Sequence, residues 1–228
     1  MSMRITAAVA VATLLALPVS AHAAPARPPS CKLIKDATGD TGSPAPDAAL
    51  DSQLDITSAD VATDNHFVTV VLRLDKLAAA DPANPQGRIY EFDFTAKEKN
   101  FIVMGSLLPG GNDFEVFISD QRFEEGKSGA RAATGIGTAT GRVDTAHREV
   151  RISAPVSVFA KYAPMTKNTT IYYLVAFTYR ANGLSYQGGG QGPSPVSVTG
   201  SFGLGVDEAW GHKAYYLAGN KSCVRPGY

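Results

Sequence analysis

Two cysteines frame this chain. Cys31 and Cys223 stand near opposite ends of its 228 residues, and they are its full complement. In an exported chain, two cysteines most simply pair with each other. Such a bond closes nearly the whole chain into one loop and makes the first and last strands neighbours. The loop-entropy argument puts a closure that long at roughly 5 kcal/mol, an upper bound because strain and residual structure reduce it. Two free thiols are the alternative, and they would leave the ends unconstrained.

The start of the chain supports export. Arg4 supplies a short positive region, residues 5–17 are almost wholly apolar, and Pro18 breaks the run before Ala21-His22-Ala23. This order reads as a secretory signal peptide over residues 1–23. Its apolar run of about 13 residues falls short of the ~20 needed to span a bilayer, so no membrane span is expected after cleavage. Residues 24–30 then form a Pro-rich leader, and residues 31–228 are read as one domain. About 200 residues could also make two small domains, but cysteines at both ends favour one.

Composition narrows the class. The chain is 44% hydrophobic and 18% charged, with 21 basic and 21 acidic residues. A disordered chain would be poorer in apolar residues. A nucleic-acid binder relying on a basic field would not be neutral.

Alternation supplies the secondary structure. Val68, Val70, Leu72 and Leu74 share one face, with Thr69 and Arg73 on the other. Tyr90, Phe92 and Phe94 alternate with Glu91, Asp93 and Thr95, which implies one solvated face. Phe114, Val116 and Ile118 repeat the pattern, and Val150 and Ile152 alternate with Glu149 and Arg151. Residues 171–179 are apolar or aromatic on both faces, as in a central strand. Turn residues separate these runs at Asp64-Asn65, at 97–100 and at 144–147. One short helix is expected within 155–162, with Ser153 as its cap. The fold class is therefore all-β: a single β-sandwich, jelly-roll or immunoglobulin-like, with a closed barrel as the lesser option. A glycine-dense loop over 181–205, too long for an ordinary connection, is either a flap or a tether.

The chemical signal is acidic. Asp36, Asp40, Asp47, Asp51, Asp55, Asp60 and Asp64 occur in a span, 36–72, that holds no Lys or Arg. Asp36-Ala37-Thr38-Gly39-Asp40 sets two carboxylates around a glycine that permits a tight bend. Calcium takes six to eight oxygens from carboxylates and carbonyls in flexible loops. The expected metal ligands are Asp36 and Asp40, then Asp55, with Asp207 joining if the chain ends meet. The spacing is not that of an EF-hand. A solvated acidic turn, with aspartates capping backbone N–H groups, is the competing reading.

Asp36-Ala37-Thr38-Gly39-Asp40, followed by Leu54-Asp55-Ile56 and a strand-rich body, resembles calcium-bearing secreted β-sandwich modules of the DOMON-like and family 9 carbohydrate-binding group. Asp207-Glu208-Ala209 and the closing Gly219-x-x-x-Cys223 are similar to exported actinobacterial proteins of unassigned role. The resemblance implies a jelly-roll-like sandwich with structural calcium and no catalysis by the module.

Enzymatic readings fit poorly. Asp40-Thr41-Gly42-Ser43 spells the aspartic-protease tetrapeptide, but a second copy to share its proton is missing from the sequence. A Gly-x-Ser-x-Gly elbow is absent. His66, His147 and His212 each stand alone, without zinc-ligand spacing. Glu91, Asp93, Glu115 and Glu149 could supply a glycosidase pair, but alternation already explains them as solvent-facing. A secreted hydrolase is therefore the distant alternative.

Aromatic residues bear on partners. Tyr173, Phe177 and Tyr179 are read as core, sharing a face with Ile171 and Val175. Trp210 and Tyr186 fall in irregular segments and are the candidate ligand contacts, since flat aromatic faces stack on sugars or grip a peptide. The expected partner is a cell-surface protein or a carbohydrate polymer, met by a non-catalytic extracellular module.

Overall fold

The computed structural model describes residues 31–41, 52–79, 86–121, 132–181, 205–211 and 216–228. The segments read as a signal peptide and a Pro-rich leader, with Asp47, Asp51, Tyr186, His212 and the interior of the glycine-dense loop, lie outside the described residues.

Period-two alternation resolves into two antiparallel sheets packed face to face, the expected all-β sandwich. The first sheet runs in the spatial order β1 (Ile34–Lys35), β2 (Ile56–Thr63), β3 (Phe67–Leu74), β9 (Glu149–Pro155) and β8 (Thr140–Asp144). The second runs β11 (Gly205–Trp210), β10 (Thr170–Arg180), β4 (Arg88–Ala96), β5 (Lys99–Leu108), β6 (Gly111–Ser119) and β7 (Ala133–Thr138), with β12 (Tyr216–Leu217) also on β10. Val68, Val70, Leu72 and Leu74 meet Tyr90, Phe92, Phe94, Phe101 and Val103 in one buried core between the sheets. The two-residue turn Lys97-Glu98 has positive φ at both positions (48° and 63°), the backbone that matches a tight hairpin to strand twist. No helix among the described residues is long and apolar enough to cross a membrane.

The short helix α1 (Val156–Ala160) lies inside the expected window. Its Phe159 ring packs 5.2 Å from Phe101 and 6.2 Å from Phe94. Ser153 does not cap it. Strand β9 continues through Pro155, which pairs with Phe67, so Ser153 is a strand residue whose hydroxyl meets that of Thr69 at 2.9 Å. No side-chain hydrogen bond caps the helix at Pro155.

Two faces differ from the expectation. On β4, Glu91, Asp93 and Thr95 are buried rather than wet, at 4%, 5% and 2% exposure. Ile89, Ile102, Met104, Phe117 and Ala181 form a second buried cluster. Alternation on β4 therefore separates two buried surfaces, not core from solvent. On β10 the register shifts between Tyr172 and Val175, where Tyr173 adopts φ 50°. The bulge inserts an extra residue and reverses the faces beyond it. Ile171, Leu174 and Ala176 therefore join the main core, while Tyr179 packs against the second cluster. Tyr173 is 51% exposed and is not core.

The outer face of the first sheet is organised by Arg73, which is buried at 7% exposure. Its Nη1 donates to Asp60 Oδ2 at 2.7 Å, its Nε to Glu149 Oε1 at 3.1 Å, and its Nη2 to the Cys223 carbonyl at 2.6 Å. Arg151 Nη2 donates to the other Glu149 oxygen at 2.7 Å. Glu149 is thus a buried counter-charge, not a solvent-facing residue, and Asp60 is drawn out of the acidic excess by the same guanidinium. The C-terminal segment that supplies the Cys223 carbonyl also carries the disulfide: Cys31 and Cys223 are bonded, with Cα atoms 5.1 Å apart across 192 positions of sequence. The pairing read from the sequence is present.

Arg73→Met would leave two buried carboxylates without their shared cation. It is expected to cost about 3–5 kcal/mol of stability, read as a lowered urea midpoint at unchanged slope. Arg73→Met combined with Asp60→Asn and Glu149→Gln should recover much of that loss.

Candidate metal centre

The site begins where β1 stops. Ile34 and Lys35 pair with Ala59 and Ser58, and the Asp36 N–H reaches the Thr57 carbonyl at 3.2 Å, carrying the pairing one residue further. The chain then leaves the sheet edge. Gly39 takes φ 82°, a left-handed conformation that a residue with a Cβ adopts only at a cost. That bend turns Asp40 back towards Asp36.

The third carboxylate comes from the far end of the chain. Asp207 sits on β11 opposite Thr178 of β10, in the second sheet. Its Oδ2 accepts the Ile56 N–H at 2.6 Å, and its Oδ1 accepts the Glu208 N–H at 2.9 Å. The first of these bonds joins the two sheets, since Ile56 opens β2. Asp36, Asp40 and Asp207 each bring one carboxylate oxygen within 4.8 Å of the other two. Three of the four predicted ligands therefore converge, and they do so only because the chain ends are neighbours.

Asp55 has a different position. It is buried at 2% exposure, and its Oδ2 accepts the Gly39 N–H at 2.6 Å. It braces the bend that brings Asp40 round and is not one of the three convergent carboxylates. Its Oδ1 is buried with no hydrogen-bond partner among the described residues, as is the Oγ1 of Thr41, the residue after Asp40. A buried polar atom left without a partner costs about 1–3 kcal/mol, so oxygen lone pairs are in excess here.

The electrostatics point the same way. Burial pushes the Asp207 carboxyl up to about 7, with the charges of Asp36 and Asp40 adding to the rise against the two N–H donors. Burial also raises Asp55, opposed by the Gly39 N–H and helped by Asp40 and Asp75. Like charges within 4.8 Å repel by on the order of 1–3 kcal/mol per pair, depending on the local dielectric. A divalent cation relieves that repulsion. Every candidate donor is a hard oxygen, which suits calcium or magnesium rather than zinc or copper.

The other predicted contacts are not gathered here. Trp210 ends β11, half-buried, with its indole N–H donating to Glu208. His147 lies in the predicted turn, with Nδ1 3.0 Å from Asp144 Oδ2. Glu149 faces Arg73 on the first sheet, whereas Glu91, Asp93 and Glu115 belong to the second. No protein-family model, curated protein or solved structure matches this chain, so these comparisons tie it to no family, the DOMON-like and carbohydrate-binding groups included.

A pH dependence follows for the chelator-treated protein. A carboxyl whose folded value is about 7 against the ordinary aspartate value of 3.8 binds more protons folded than unfolded between those limits. Stability contributed by this group should therefore fall as pH rises through that window. Thermal melts in chelator at pH 5 and pH 8 check the sign, and Asp207→Asn should flatten the difference.

Proposed function

We propose that this chain is an exported, non-catalytic β-sandwich module whose ends are fastened twice, by the Cys31–Cys223 bond and by a calcium ion held between residues 36–40 and Asp207. It acts as an extracellular structural or protein-interaction domain. The observation that carries this reading is the convergence of Asp36 and Asp40, in the loop that follows β1 of one sheet, with Asp207, on β11 of the other. The formed disulfide fits an oxidising compartment, and the leader read over residues 1–23 agrees with it. The excess of buried oxygens at Asp55 and Thr41 supports a cation.

In this reading calcium supplies charge neutralisation and a rigid cross-link. Asp36 and Asp40 hold it from the loop after β1, and Asp207 holds it from β11. Asp55 keeps the loop bent through Gly39. A ligand present at a hundred times its dissociation constant stabilises the folded state by about 2.7 kcal/mol. Calcium raised to that excess should therefore increase the melting temperature by several degrees over the same protein in chelator. Asp36→Asn and Asp207→Asn should each abolish the response. An identical melt with calcium and with chelator overturns the reading.

A second reading, binding of a carbohydrate polymer, is favoured by one feature. Tyr173 is 51% exposed at the β10 bulge, with its ring 5.3 Å from that of Tyr172. Exposed aromatic faces of this kind stack on sugar rings. Retention on immobilised polysaccharide that is lost in both Tyr173→Ala and Trp210→Ala is the expected result. Equal retention of both variants removes this reading and leaves the first intact.

A further inference from the structure

The surroundings of the disulfide are unequal on its two sides. Cys223 is 1% exposed, whereas Cys31 is only half-buried. Between them sits Asn220. Its Nδ2 lies 2.7 Å from Cys223 Sγ and 3.3 Å from Cys31 Sγ. Its Oδ1 accepts the Ser222 hydroxyl at 2.7 Å, which leaves the amide N–H groups facing sulfur. A disulfide sulfur is a weak acceptor and a thiolate a strong one, so a donor placed here favours the charged product of bond cleavage.

The backbone around both cysteines is held independently of sulfur. Arg73 Nη2 grips the Cys223 carbonyl at 2.6 Å. The Asp60 carboxylate paired with Arg73 accepts the Leu33 N–H, two residues beyond Cys31, at 3.1 Å. One buried ion pair therefore anchors both cysteine-bearing segments. Breaking the sulfur–sulfur bond removes none of these contacts.

We propose that the Cys31–Cys223 bond is a directional, reversible thiol–disulfide couple, opened at Cys31 by a small thiol, with Cys223 as the buried leaving thiolate received by Asn220. The thiolate of a low-molecular-weight thiol attacks Cys31 Sγ. The protein disulfide breaks, its electron pair goes to Cys223 Sγ, and a mixed disulfide forms on Cys31. A second small thiolate attacks the small-molecule sulfur of that adduct and releases Cys31 as a thiolate. The sum converts two small thiols into one small disulfide, and their two protons end on the cysteines. In the reverse direction a small disulfide reoxidises the pair, because the Asp60–Arg73 anchors keep the two sulfurs close. Asn220 is a positioning residue for the thiolate, and the C-terminal segment stays docked in the dithiol form. The couple does not depend on the cation reading.

The test uses the full folded chain and glutathione. Oxidised protein is given limiting reduced glutathione and quenched with iodoacetamide, and the adducts are mapped by mass spectrometry. Glutathione on Cys31 with alkylated Cys223 is expected. Glutathione mainly on Cys223, or opening that occurs only in step with global unfolding in urea, overturns the proposal. The second arm follows the Cys223 thiolate by its ultraviolet absorbance in Cys31→Ser. Burial raises this thiol and the Asn220 donor lowers it, and the substitutions at Asn220 read the second effect. Asn220→Ala should raise the thiol pKa by about one unit, and Asn220→Asp, isosteric but anionic and without the donor, should raise it further. The order Asn, Ala, Asp in both thiolate pKa and exchange rate separates thiolate stabilisation from a general loss of fold. An unchanged pKa across the series overturns the role of Asn220.

Discussion

A guanidinium buried in a sheet face must be neutralised where it lies, and much of this molecule is arranged around that requirement. Arg73 leaves β3 on the side away from the core, where a short sheet would ordinarily meet water. It is instead covered, with Asp60 from β2 and Glu149 from β9 as its counter-charges and the Cys223 carbonyl as a third acceptor. An isolated buried charge would be far too costly to keep. The cover, the carboxylates and the arginine therefore stand or fall together. The same set of bonds places the C-terminal segment beside Leu33, which makes the end-to-end covalent bond geometrically available.

Closure of the chain then has chemical consequences at a second place. With β1 on the edge of one sheet and β11 on the edge of the other, the loop after β1 and the start of β11 meet at one end of the sandwich. Asp207 reaches across to the N–H of Ile56, and Asp36 and Asp40 approach it from the bend at Gly39. Three carboxylates so close are unfavourable unless protonated or bridged by a cation. The disulfide and the acidic cluster thus both bring together residues from the two ends of the chain.

Several readings were legible because they rest on local rules. Alternation at 68–74 and at 90–94 identified the core faces of β3 and β4, since a pleated strand shows one face to the core at every second residue. Asp64, taken with Asn65 as a turn signal, accepts the N–H groups of His66 and Phe67 as such a turn requires. Other readings failed where a distant residue intervened. Glu149 and Glu91 alternate with apolar neighbours as solvent-facing residues do, and nothing nearby in sequence announces that both faces are covered. Tyr173 looked like core because the face of a strand inverts at a bulge, and a bulge leaves no clear mark in a run of apolar residues.

The amino-acid order alone determined the strand-rich class, the pairing of the two cysteines and the candidate oxygen ligands, because hydrophobic period, cysteine count and residue chemistry are local properties. Only the folded arrangement decided which aspartates share a site. Asp36, Asp40 and Asp207 do, Asp55 braces the bend, and Asp60 serves Arg73 instead. Carboxylates are chemically alike in sequence. Their roles diverge once packing decides which of them meets a backbone N–H, which a guanidinium and which another carboxylate.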